Sequence, residues 1–119
     1  MKQTAIIVAI GNSDNRLTQA EWSAFWHECN ALVHGAMTYA GTRLYGTWLS
    51  PANAPFQNAG WSLAFEIDML PLSRELQRSL RDVLRTYRQD SMAWTVGETQ
   101  LIPAAPDFLP VYPWTPKEE

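Results

Sequence analysis

The chain has 119 residues, 46% of them hydrophobic, which suits one folded domain around one core and excludes a disordered segment. A formal charge of −3 excludes a general electrostatic binder of nucleic acid, and the charged fraction, 18%, is low. The single cysteine, Cys29, excludes an intrachain disulfide and fits a reducing cytoplasm; the longest early apolar run, residues 5–10, is too short for a signal segment or a membrane span.

Residues 4–10, TAIIVAI, are continuously apolar and rich in β-branched side chains. They predict a strand buried on both faces, stopped by Gly11 and the polar run Asn12, Ser13, Asp14, Asn15. Thr18 with Glu21 three residues later is the pattern of a capping box, so a first helix starts there. Trp22, Phe25, Trp26, Cys29, Leu32 and Val33 recur at helical spacing and predict its core face, with Gly35 as a plausible stop.

Residues 42–50 have strand-like content, and the Pro/Asn-containing stretch after them is a loop. In residues 61–67, Trp61, Leu63, Phe65 and Ile67 alternate with smaller or polar residues, as in a strand with one buried face, and Pro71 ends the segment. A second helix is predicted from about Ser73, burying Leu76, Leu80, Val83, Leu84 and Tyr87. Residues 92–96 predict a fourth strand, bulged at Gly97 and resuming to Ile102. From Pro103 five prolines alternate with apolar and aromatic residues, which predicts an extended tail over 103–119 behind a domain of residues 1–102.

The order β-α-β-β-α-β is that of a ferredoxin-like α+β sandwich, with both helices on one face of an antiparallel sheet. The opposite face would carry Ile7, Ala9, Ser62, Ala64, Ala93 and Thr95, which are small and uncharged. A solvated face carries Lys, Glu and Thr. Either the tail or a second subunit is expected to cover it, and a homo-oligomer is the favoured expectation.

The same topology brings three loops to one edge: residues 11–17, 50–60 and 89–91. They hold Asn12, Asp14, Arg16, Gln57, Asn58, Gln89, Asp90 and Ser91. Amides, hydroxyls and carboxylates clustered on a rigid scaffold suit the reading of a polar ligand, although the same residue types also serve turns. Arg74, Arg78, Arg81, Arg85 and Arg88 fall within about an 80° arc of the second helix, opposite its core residues. A guanidinium grips phosphate or carboxylate in a two-pronged fashion. Local pairs such as Glu75 with Arg78 and Arg78 with Asp82 account for the start of the row, whereas Arg85 and Arg88 lead into the loop cluster. Trp48 and Trp94 are candidates to stack on a base.

The catalytic and metal patterns are missing: there is no P-loop, HExxH, CxxC, dinucleotide fingerprint or nucleophile elbow. His27 and His34 lie two helical turns apart, too far to chelate one ion well, so no metal or cofactor is expected. The segments GNSDNRLTQAEW (11–22) and YRQDSMAWTVGETQLI (87–102) resemble small uncharacterised proteins of actinobacteria and their phages. That resemblance brings no established activity; a phage setting implies sequestration of a nucleotide signal of bacterial defence.

The leading expectation is therefore non-catalytic binding of a small phosphate-bearing, nucleotide-like ligand at the loop edge, with Arg16 and Arg88 on phosphate. An enzyme using Asp14 or Asp90 as general base is the first rival. An interaction module acting through the arginine row or the tail is the second.

Overall fold

In the computed structural model the described residues are 3–40, 43–51, 56–98 and 102. The proposed tail, 103–119, lies outside them, as does the expected resumption of the fourth strand before Ile102. The elements are β1 (Gln3–Gly11), a 3-10 turn (Ser13–Asn15), α1 (Gln19–Ala40), β2 (Arg43–Leu49), β3 (Asn58–Glu66), a second 3-10 turn (Ile67–Met69), α2 (Leu70–Thr86) and β4 (Ala93–Glu98). The strands form one antiparallel sheet in the order β2-β3-β1-β4. With both helices packed on one face, this is the ferredoxin-like βαββαβ topology.

Sheet pleating decides which residues form the core. Ile6, Val8 and Ile10 of β1 and Ala59, Trp61, Leu63 and Phe65 of β3 point at the helices and are buried. They meet Trp22, Phe25, Cys29 and Val33 of α1 and Leu76, Leu80 and Leu84 of α2. Trp61 is fully enclosed, and its indole Nε1 donates to Asn30 Oδ1 of α1 at 2.9 Å, so its one polar group is satisfied inside the core. β1 is not buried on both faces as its composition predicts. Both its edges are paired, but the helices cover only one face, and Ile7 on the other is 40% exposed.

The α1 start is as predicted: Thr18 N donates to Glu21 Oε1 at 3.0 Å, and Glu21 N donates to Thr18 Oγ1 at 3.2 Å. Gly35 does not stop the helix, which runs on to Ala40. One interior glycine costs about 1 kcal/mol, less than the burial of an apolar helix face returns. α2 starts earlier than predicted, because Pro71 sits in its first turn, where the missing N–H has no intrahelical acceptor in any case. Ser73 is then inside the helix, its Oγ donating to the Leu70 carbonyl at 2.6 Å. The helix closes in a Schellman motif: Gln89 N donates to Leu84 O at 2.9 Å and Arg88 N to Arg85 O at 3.1 Å. Arg88 takes the left-handed position, φ 57°, usually given to glycine.

The bulge lies elsewhere than expected. β4 pairs with β1 without a break through Gly97, whereas β2 shifts register between Leu44 and Gly46. The extra residue is Tyr45, and its hydroxyl donates to Gln3 Oε1 of β1, on the far side of β3.

Candidate functional site

The loop ends after β1, before β3 and after α2 meet at one edge of the sheet, as the topology requires. Asn12 is the hub. Its backbone N–H donates to Gln57 O at 3.0 Å. Its amide bonds both polar groups of Leu17, Nδ2 to the carbonyl at 3.0 Å and Oδ1 from the N–H at 2.9 Å. This fixes the amide's orientation, so Nδ2 must also face Gln57, whose Oε1 accepts at 2.6 Å. The loop folds tightly beyond this point because Asp14 and Asn15, both at φ near 50°, tolerate the left-handed region better than most residues.

Gln89 joins the first loop to the third. It is 8% exposed, accepts from Ser13 N through Oε1 at 2.7 Å and donates from Nε2 to Tyr87 O at 2.9 Å. Arg16 adds a charged clasp. Nη1 donates to Asp90 Oδ1 at 2.8 Å and to Arg88 O at 2.7 Å, and Nη2 reaches Asp90 Oδ2 and Asp14 Oδ2, each at 3.3 Å. The hydrogen bond and charge of Asp90 raise the Arg16 pKa above its ordinary value. Arg88 Nη2 donates to Glu21 Oε2 at 3.0 Å. Glu21 is held below the ordinary carboxylate range, first by the Thr18 N–H and then by Arg88.

Beside this network is a pocket of about 310 Å³. Asn12, Ser13, Asn15, Gln57 and Ser91 supply its polar wall, and Phe56 and Met92 its apolar wall. Phe56 is 77% exposed at the rim. Gln57 Nε2 is buried and lacks a hydrogen-bond partner among the described residues, because Asn12 has claimed the other end of the amide.

Six of the predicted site residues have other surroundings. Asp14 and Asp90 are in the Arg16 clasp and do not line the pocket. Arg85 is exposed and pairs with Asp82 at 3.2 Å, in place of the expected Arg78–Asp82 pair. Asn58 accepts from Trp48 Nε1 at 3.2 Å, and the Trp48 ring lies over Gly60 on the open sheet face. Trp94 faces the helix side, in a groove of about 380 Å³ with Arg74 and Gln77. Among the described residues Arg74 and Arg78 reach no carboxylate. Residues 52–55 of the second loop fall outside the described residues. Sequence reasoning passed over Phe56 and Met92, since a lone apolar residue at a loop end carries no pattern.

Trp26 Nε1 is likewise buried without a hydrogen-bond partner among the described residues, and Trp26 lines a smaller slot of about 220 Å³ with Trp22, His27 and Leu49. Cys29 is a core residue, its thiol pushed up to about 12 by burial. No three His, Cys, Asp or Glu side chains among the described residues are grouped to hold a metal ion, and no described helix is long and apolar enough to cross a membrane.

No protein-family model and no curated protein matches the chain. Solved structures similar to it include an unknown protein from Galdieria sulphuraria, at 15% identity and a TM-score of 0.42, covering 83% of this chain and 50% of that one. Another is a hydantoinase/carbamoylase family amidase from Burkholderia ambifaria, at 9% identity and a TM-score of 0.40, covering 86% and 28%. The chain spans half or less of each. Likeness at this level carries no argument about activity.

Proposed function

We propose that the protein binds, without turnover, a small nucleotide-like ligand whose uncharged heterocycle enters the pocket between Asn12, Gln57, Ser91 and Phe56. The observation that carries this reading is Gln57, which lines the pocket and whose buried Nε2 has no hydrogen-bond partner among the described residues. Leaving such a donor unsatisfied costs about 1–3 kcal/mol, which an acceptor on a bound ring returns when the amide turns toward the pocket to meet it. A volume near 310 Å³ suits a base or nucleoside, and Phe56 at the rim offers a face to stack on.

Charge favours the heterocycle over the phosphate as the buried part. Arg16 and Arg88 are both engaged, by Asp90, Asp14 and Glu21, so a ligand phosphate must compete with carboxylates at the rim. Turnover is disfavoured because Asp14 and Asp90 stand outside the pocket lining and are held by a guanidinium. In the phage setting that the sequence resemblance implies, such binding would sequester a nucleotide signal inside the host.

A thermal-shift series with the four nucleosides, their 5′-monophosphates and cyclic dinucleotides tests this. At least one raises the melting temperature, by mass action. Gln57→Leu weakens that probe's binding by roughly 5- to 10-fold, the equivalent of one hydrogen bond. If no probe shifts the transition, or Gln57→Leu leaves every affinity unchanged, the proposal fails.

A further inference from the structure

We infer that the sheet face opposite the helices is the interface of a symmetric homodimer, with a second copy of this chain as its occupant. The inference is independent of the ligand reading. Of the three central rows of this face, those of Ile7 and Ala9 hold no charged residue, and the Ala5–Ala64 row ends on β2 at Arg43. Its relief is uneven. On the β2–β3 half the ring of Trp48 lies where a Cβ of Gly60 would stand, 2.0 Å from the ring carbon Cη2. One register step below is Ser62, paired with Gly46, and beyond it Tyr45 reaches across β3 to Gln3. Ala64, in the path of that tyrosine, has no exposure although it points away from the helices. Two aromatic plates thus stand on either side of a low row made by Ser62 and Gly46. The β1–β4 half is low, with Ala5, Ala9, Ala93, Thr95 and Gly97, and its one large aliphatic side chain is Ile7.

Ile7 pairs with Ser62 on one side and Thr95 on the other, so it stands in the same row as the gap between the two rings. A twofold axis parallel to the strands, between β3 and β1, places the raised half of each copy on the low half of the other. It also keeps every row at its own height, so each isoleucine enters the other copy's gap. Isologous contacts require this self-complementarity. The area suffices. Strands of six to nine residues, at about 3.3 Å per residue and about 4.8 Å apart, make a face of roughly 500 Å². Two copies then bury about 1,000 Å² or more, the threshold for a specific interface. The exposed Ile7 (40%), Trp48 (41%) and Tyr45 (48%) lie in this area and supply its apolar content.

The test is the solution mass of the full chain by light scattering and sedimentation at micromolar concentration, for the parent and for Thr95→Arg, Ala93→Arg and the control Arg78→Glu. All three positions are exposed, so the variants fold, as circular dichroism verifies. The parent has twice the 13.5 kDa chain mass. Either face variant, which buries an arginine twice per dimer, raises the dissociation constant at least ~100-fold, and Arg78→Glu leaves it unchanged. A monomeric parent overturns the inference, including a monomer that dimerises only after residues 103–119 are removed, since the tail would then be the cover. A dimer that survives both face variants overturns it equally.

Discussion

Arg16 grips both carboxylate oxygens of Asp90, at 2.8 and 3.3 Å, across 74 positions of sequence. The pair ties the turn after β1 to the segment leaving α2, and it neutralises a cation that follows Asn15 of the pocket lining in the chain. Asp90→Asn removes the competing charge while keeping the shape. Phosphorylated probes then gain roughly 5-fold in affinity over the matching nucleosides, an amount typical of a rim charge, and the gain shrinks in high salt. Calorimetric titration of one nucleoside and its monophosphate against both proteins measures it. An equal change for both probes would mean that Arg16 does not see the phosphate.

Gly35 lies inside α1 with helical backbone angles, and a Cβ there meets nothing within 4 Å. Gly35→Ala therefore stabilises the fold by about 0.5–1 kcal/mol, through helix propensity and a less flexible unfolded chain. Urea denaturation reads this as a higher midpoint at constant slope.

Gly60 has the opposite character. Any side chain there must displace the Trp48 indole, which also gives up its bond to Asn58. Gly60→Ala costs about 1–2 kcal/mol, the scale of an overpacked contact. It moves the tryptophan emission toward that of a solvated indole, and if the face is a dimer interface it weakens self-association as well.

Glu21 accepts the Thr18 N–H and the Arg88 guanidinium, and its folded pKa lies below the ordinary 4.5. A depressed folded pKa means a contribution present above the unfolded value and lost as pH falls through the folded one. Glu21→Gln keeps the capping oxygen and removes the charge. Its melting temperature therefore sits below the parent's at neutral pH, and the two converge as pH drops beneath 4.5. A gap that persists in acid would assign the effect to shape alone.

Much of this is legible in the residues themselves. The capping box of Thr18 and Glu21, the alternation of Trp61, Leu63 and Phe65, and the exposed arginine row all express local periodicity, which a linear chain carries without its partners. The meeting of three loops at one edge follows from element order. Misplaced boundaries share one cause: Gly35 and Pro71 are punctuation marks whose local cost is near 1 kcal/mol or less at those positions, and packing overrides it. The bulge at Tyr45 has no local signature, since it is set by how β2 must pair alongside β3.

The sequence by itself determined the βαββαβ order, the core faces and the edge where the polar loops collect, because these depend on spacing along the chain. Only the tertiary structure decided what each polar group at that edge does. Arg16, Arg88, Gln89 and Asn12 are all candidate ligand contacts when read as letters, yet their hydrogen bonds go to Asp90, Glu21, Ser13 and Leu17. Among the described residues, Gln57 alone of the predicted pocket residues is left with a buried donor and no acceptor. A side chain's free valence depends on neighbours scores of residues away, and that distance closes only in the folded chain.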